Sequence, residues 1–78
     1  MNSYFERVIA CAAEVLKVDP HSLDKDSSFN ITKDWDSISH LNILICLEKI
    51  YFIEFTEDDF VFLTSVADIA EKLEELLD

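Results

Sequence analysis

Apolar residues recur along this chain at three- and four-residue steps, the period of amphipathic helices. Phe5, Val8, Ile9, Ala12, Val15 and Leu16 form the first such stripe and leave Glu6, Arg7, Glu14 and Lys17 largely outward. They predict a helix from about Ser3 to Leu16, ended by Asp19-Pro20 because the residue before proline avoids helical angles. A polar segment follows, from Asp19 to Asp36, in which Leu23, Phe29 and Ile31 are expected to hold the chain to the core. Structureless loops of that length are uncommon in small domains and usually have a task.

The periodic pattern resumes at Asp36-Ser37 and predicts a second helix to about Phe52, with Asp36 as its N-cap. Here the apolar residues divide between two faces. Ile43, Leu44, Leu47, Ile50 and Tyr51 form a broad stripe suited to a core, while Ile38, Leu41 and Ile45 form another that starts beside Ser37. Two readings fit: a central helix buried on both sides, or a core helix with a partner-docking stripe. Thr56-Glu57-Asp58-Asp59-Phe60 then reads as a cap followed by a short acidic helix. Ser65 opens a last helix, with Val66, Ile69, Leu73, Leu76 and Leu77 inward and Asp68, Glu71, Glu74, Glu75 and Asp78 in water. The expected architecture is all-α: three main helices, one short helix and a long first loop.

Composition narrows this picture. Seventy-eight residues suit one domain spanning 1–78, and a hydrophobic content of 50% is enough for a packed core. Glycine is absent and Pro20 is the only proline, which disfavours an architecture of tight β-turns. Seventeen acidic residues against six basic give a net charge of −11, spread along the chain. Such a field repels nucleic acid and anionic membranes and attracts basic protein surfaces. No stretch is apolar enough to span a bilayer, and the first residues lack a signal-peptide pattern. The starting Met agrees with a free-standing chain. Cys11 and Cys46 lie in apolar helical patterns and are expected to be reduced and partly buried, as in a cytoplasmic protein.

Most constellations of reactive side chains fail on spacing. A calcium loop started at Asp24 has Asp26 and Ser28 in place, but Phe29 stands where glycine is required and Trp35 where the bidentate Glu belongs. His21, His40, Cys11 and Cys46 lack the close pairs of zinc sites, and Cys46 with His40 reads as a buried thiol and a half-exposed imidazole. No phosphate-binding glycine loop and no distinct carboxylate pair stands out, so no catalytic activity is expected. What remains is Ser37 in the first turn of an amphipathic helix, a place that favours anions. Ser37 either helps to cap that helix or carries an anionic ester.

The residues around it carry a resemblance. Trp35-Asp36-Ser37-Ile38-Ser39-His40-Leu41, followed by Leu44, Leu47-Glu48 and Tyr51, is similar to the Asp-Ser-Leu motif and second helix of acyl carrier proteins, in the Trp-Asp-Ser-Leu-x-His-Leu form found in free-standing carriers of specialised pathways. Phe55 to Phe60 resembles the family's short third helix, and Ser65-Val66-Ala67-Asp68-Ile69 the opening of its last one. The similarity covers essentially the whole chain.

The resemblance implies a non-catalytic four-helix bundle. It implies that a phosphopantetheinyl transferase, using coenzyme A and magnesium, places 4′-phosphopantetheine on Ser37, with Asp36 capping the helix and assisting the transfer complex. The arm's thiol would then carry acyl or aminoacyl cargo as a thioester between loading and downstream biosynthetic enzymes. Docking is expected on Ile38, Leu41 and Ile45, with charge from Glu48, Glu57 and Asp58, and the carrier is expected to be a cytoplasmic monomer. Departures from the pattern point to polyketide, modified-lipid or other specialised biosynthesis. Lys33-Asp34-Trp35 replaces the glycine before the motif, and Asn42 and Lys49 stand where fatty-acid carriers tend to have acids. The alternative is an unmodified helical adaptor for a basic partner protein.

Overall fold

In the computed structural model, which describes residues 4–78, four α-helices pack around one core: α1 (Phe5–Leu16), α2 (Ser37–Tyr51), α3 (Glu57–Phe62) and α4 (Val66–Leu77). The predicted start of the first helix at Ser3 lies outside the described residues. α1 packs on both α2 and α4, and α3 lies against α2. The shared core contains Val8, Ala12 and Leu16 from α1, Ile43, Leu44 and Leu47 from α2, and Val66, Ile69 and Leu73 from α4. Each large aliphatic side chain so buried contributes about 1.5–3 kcal/mol against chain entropy. The second apolar face of α2 is not covered, so this helix is buried on one side only: Ile38 is 73% exposed.

Three caps from the sequence appear where expected. The Asp36, Thr56 and Ser65 side chains accept from the backbone amides three residues on, and Asp59 returns a bond to the Thr56 amide to complete a capping box. Asp59 also faces Lys72 at 3.7 Å, tying α3 to α4.

With no glycine in the chain, the left-handed backbone positions fall on Lys17, Asn30, Asp34 and Phe52. Asn and Asp tolerate that region; Phe does so at a cost. α1 ends at Leu16 as expected, but its stop is the left-handed Lys17 rather than Asp19-Pro20, and that pair instead opens a 3₁₀ turn, Pro20–Ser22. Phe52 ends α2 in the same way while 94% exposed.

The loop between α1 and α2 is ordered by hydrogen bonds rather than by regular structure. The Val66 and Ala67 amides donate to the Ser27 and Lys25 carbonyls, so the loop satisfies the free N-terminal amides of α4. Phe29 donates to the Thr64 carbonyl at 2.8 Å, and Ser28 forms an isolated bridge with Ser65. Leu23 is buried and Phe29 packs against the core as expected, but Ile31 is 84% exposed. The anchor is Trp35, which is buried.

His40, expected to be half-exposed, is fully buried. The Trp35 indole N–H donates to His40 Nδ1 at 3.0 Å, so the neutral ring carries its proton on Nε2 and donates it to the Phe60 carbonyl, also at 3.0 Å. Phe29 stacks on the imidazole with ring centroids 5.1 Å apart. One residue of α2 thus holds the end of the loop and the body of α3. Ile50, Leu76 and Leu77, placed inward by periodicity, are exposed, because the last turns of α2 and α4 extend past the cover of their neighbours. Asp68, placed in water, is half-buried.

Two outcomes follow from these contacts. Phe52→Gly removes a left-handed aromatic residue without removing buried contact, so urea unfolding should show stabilisation of about 1 kcal/mol; a loss of stability would refute this account of the helix end. Burial holds His40 below its ordinary value of 6.5, so the unfolded chain takes up that proton first. Its contribution is fully present above pH 6.5 and declines as the pH falls below it, a window distinct from that of Asp19 and Asp36, whose carboxyls lie below their ordinary 3.8. Melting curves between about pH 8 and 5 should lose this slope in His40→Asn; equal slopes in both proteins would remove His40 as the cause.

Candidate functional site

Ser37 stands between two fixed points. Two residues before it Trp35 is buried, and three residues after it His40 is buried. Left-handed Asp34 turns the chain into Trp35, and Asp36 then adopts an extended backbone that carries the chain into the helix. The Asp36 carbonyl accepts from the His40 amide at 2.8 Å, and its carboxylate accepts from the Ser39 amide at 2.9 Å. That amide holds the Asp36 carboxyl below the usual carboxylate range, so the cap is charged at neutral pH.

Ser37 is the first residue of α2 and is exposed. Among the described residues its hydroxyl makes no hydrogen bond, so the cap is Asp36 and not Ser37. A primary hydroxyl is thereby presented to solvent at the positive end of a fifteen-residue helix. An ester phosphate there would meet the helix dipole favourably, so the site fits a phosphate-linked group.

Along α2 from Ser37 runs the uncovered stripe: Ile38, then Leu41 at 47% exposure, then half-buried Ile45. Beside it an open groove of about 360 Å³ separates α2 from α3, lined by Leu41, Leu44, Ile45, Phe55, Phe60 and Val61, with Glu48 and Glu57 also on its wall. Glu57 and Asp58 are exposed in the first turn of α3. Glu48 is more than a surface acid: it is half-buried, and its Oε2 accepts from the Phe55 amide at 2.7 Å, holding the link between the two helices. The structure therefore brings Leu41, Ile45, Glu48 and Glu57 together on the groove, while Ser37 and Ile38 stand at the start of α2 and Asp58 in the first turn of α3, off the groove lining. Val61 and Phe62, both exposed on α3, were missed by periodicity because a helix of six residues is too short to display it. The unbroken run Phe60-Val61-Phe62-Leu63 between Asp59 and Thr64 was the available signal. His40 was missed as well, although it precedes Leu44 and Leu47 by four and seven residues and so shares their buried face.

Among the described residues, no three His, Cys, Asp or Glu side chains come together as metal ligands. Asp24 of the rejected calcium loop instead accepts from the Asp26 amide in a local turn. Nor is any helix among them long and apolar enough to cross a membrane.

A family model described as the phosphopantetheine attachment site matches residues 6–73, from α1 to the third turn of α4, with the Ser37 helix start inside the match. The mostly helical four-helix structure agrees with it. The chain belongs to the phosphopantetheine attachment family, whose members are non-catalytic carriers of a covalent 4′-phosphopantetheine group.

Proposed function

We propose that Ser37 is the residue that carries the phosphopantetheine arm, and that the chain, acting as a single domain over residues 1–78, is a monomeric carrier of acyl or aminoacyl thioesters in the cytoplasm. The observation that carries this reading is the free, exposed hydroxyl in the first turn of α2, held between buried Trp35 and His40. In the transfer step the Ser37 oxygen bonds to the phosphorus of the pantetheine phosphate, loses its proton, and the remainder of coenzyme A leaves. The charged Asp36 carboxylate beside it serves the transfer complex, where the transferase supplies its magnesium. Thereafter the chemistry resides in the arm's thiol, and the protein's part is to be recognised and released by successive enzymes.

The docking surface on this reading is Ile38, Leu41 and Ile45, with the groove braced by Glu48 and the acids Glu57 and Asp58 at its edge. A net charge of −11 steers basic partner faces toward it over distances of about a Debye length, and the small apolar stripe adds short-range contact without permanence. Partners are the phosphopantetheinyl transferase, a loading enzyme and downstream biosynthetic enzymes. Asn42 and Lys49 reduce the negative charge along the exposed side of α2 and move the acidic focus to α3, which favours polyketide, modified-lipid or other specialised biosynthesis.

Incubation with a broad-specificity transferase, coenzyme A and magnesium should add a single phosphopantetheine mass to the wild-type chain and none to Ser37→Ala. An unmodified wild type beside a modified control carrier would overturn the assignment. Leu41→Asp should leave the helical spectrum intact, since Leu41 is half in solvent, yet lower kcat/KM of the transferase for this chain by roughly tenfold or more. Unchanged kinetics would remove the stripe from the docking surface.

A further inference from the structure

On the side of α2 away from α3, Cys46 meets Cys11 of α1 with the two sulfurs 2.7 Å apart. Both cysteines are free thiols. Cys11 is buried, while Cys46 is half-buried on the wall of a second groove, of about 640 Å³, between α1 and α2. Lys17 and Lys49 line that groove with Glu14 and Asn42, so two of the chain's six basic side chains stand around the reachable sulfur of an otherwise acidic protein. We propose that Cys46 and Cys11 form a reversible dithiol–disulfide site, entered through this groove by a small anionic disulfide such as oxidised glutathione, that ties α1 to α2.

The roles divide by access. Cys46, as its thiolate, attacks one sulfur of the small disulfide; a mixed disulfide forms, and one small thiolate leaves and takes up a proton. Cys11 then yields its proton to water, and its sulfur attacks the sulfur of Cys46, expelling the second small thiolate. The two cysteines lose two electrons and two protons, and the small disulfide is reduced to two thiols. Burial pushes the Cys11 thiol up and makes it the poorer first nucleophile, while its direct contact with Cys46 makes the second attack intramolecular. From 2.7 Å the sulfurs need approach by only about 0.7 Å to reach the disulfide bond length of about 2.05 Å.

The tie would close a loop between positions 35 residues apart, restricting the unfolded chain. It lies about 13.5 Å along α2 from Ser37, so it leaves the attachment end open.

The test uses Ser37→Ala protein, which excludes interference from an arm thiol, incubated folded with oxidised glutathione. The expected product is two hydrogens lighter by intact mass, resists thiol alkylation until reduced, and melts roughly 10 °C or more higher. It should form faster in the folded state than in urea. In the same background Cys11→Ser should stop with one glutathione on Cys46, and Cys46→Ser should stay unmodified. Two free thiols after equilibration, a stable mixed disulfide with Cys11 intact, or faster closure in urea would each overturn the proposal. The mass of the protein with both cysteines present decides the bond without the cysteine variants, and failure of phosphopantetheine transfer would leave this result untouched.

Discussion

A neutral imidazole with both nitrogens engaged sits where three segments meet, and the geometry of the Ser37 end of α2 depends on it. Burying such a ring is costly unless each nitrogen finds a partner, so the His40 position demands the Trp35 indole on one side and the Phe60 carbonyl on the other. The first contact fixes where the long loop ends; the second fixes α3 against α2. Ser37 is held indirectly. It is an exposed residue of a turn anchored by Trp35 and His40, which cannot move without leaving a buried polar atom unpaired.

The absence of glycine sets the other constraint. A chain that cannot place glycine at left-handed positions must bend elsewhere or accept strain, and this one does both. Asn30 and Asp34 take left-handed conformations inside a loop whose backbone is otherwise satisfied by its own residues and by α4. The loop has a structural task as well as a positional one. By accepting from Val66 and Ala67 it caps the last helix, so loop order and the packing of α4 are one cooperative unit.

The helices, their caps and the serine at the head of α2 were legible in the sequence because each is a local property: period, capping residue, and a short motif with matching segments downstream. Properties that depend on neighbours were not. Ile31 is as apolar as Leu23, but only the local fold decides that Leu23 turns inward and Ile31 outward. Ile50, Leu76 and Leu77 continue a correct helical stripe beyond the point where another helix covers it. His40 is polar by type, yet its spacing to Leu44 and Leu47 puts it on the core face of α2. The two apolar faces of α2 were read correctly as two, and the choice between double burial and an open stripe required the positions of α1 and α3.

That open stripe makes sense of how little chemistry the side chains hold. A carrier whose reactive thiol arrives on a cofactor needs no nucleophile, base or oxyanion site beside that thiol, where a constellation of that kind would compete with its partners for the cargo. What such a protein must encode is placement: a free hydroxyl at the end of a rigid helix, next to a surface sticky enough to dock and too small to stay docked. Ile38 and Leu41 remain exposed although α2 has a full core face without them, so folding does not account for their apolar character. On the proposed reading, these residues that the core does not require mark the docking surface.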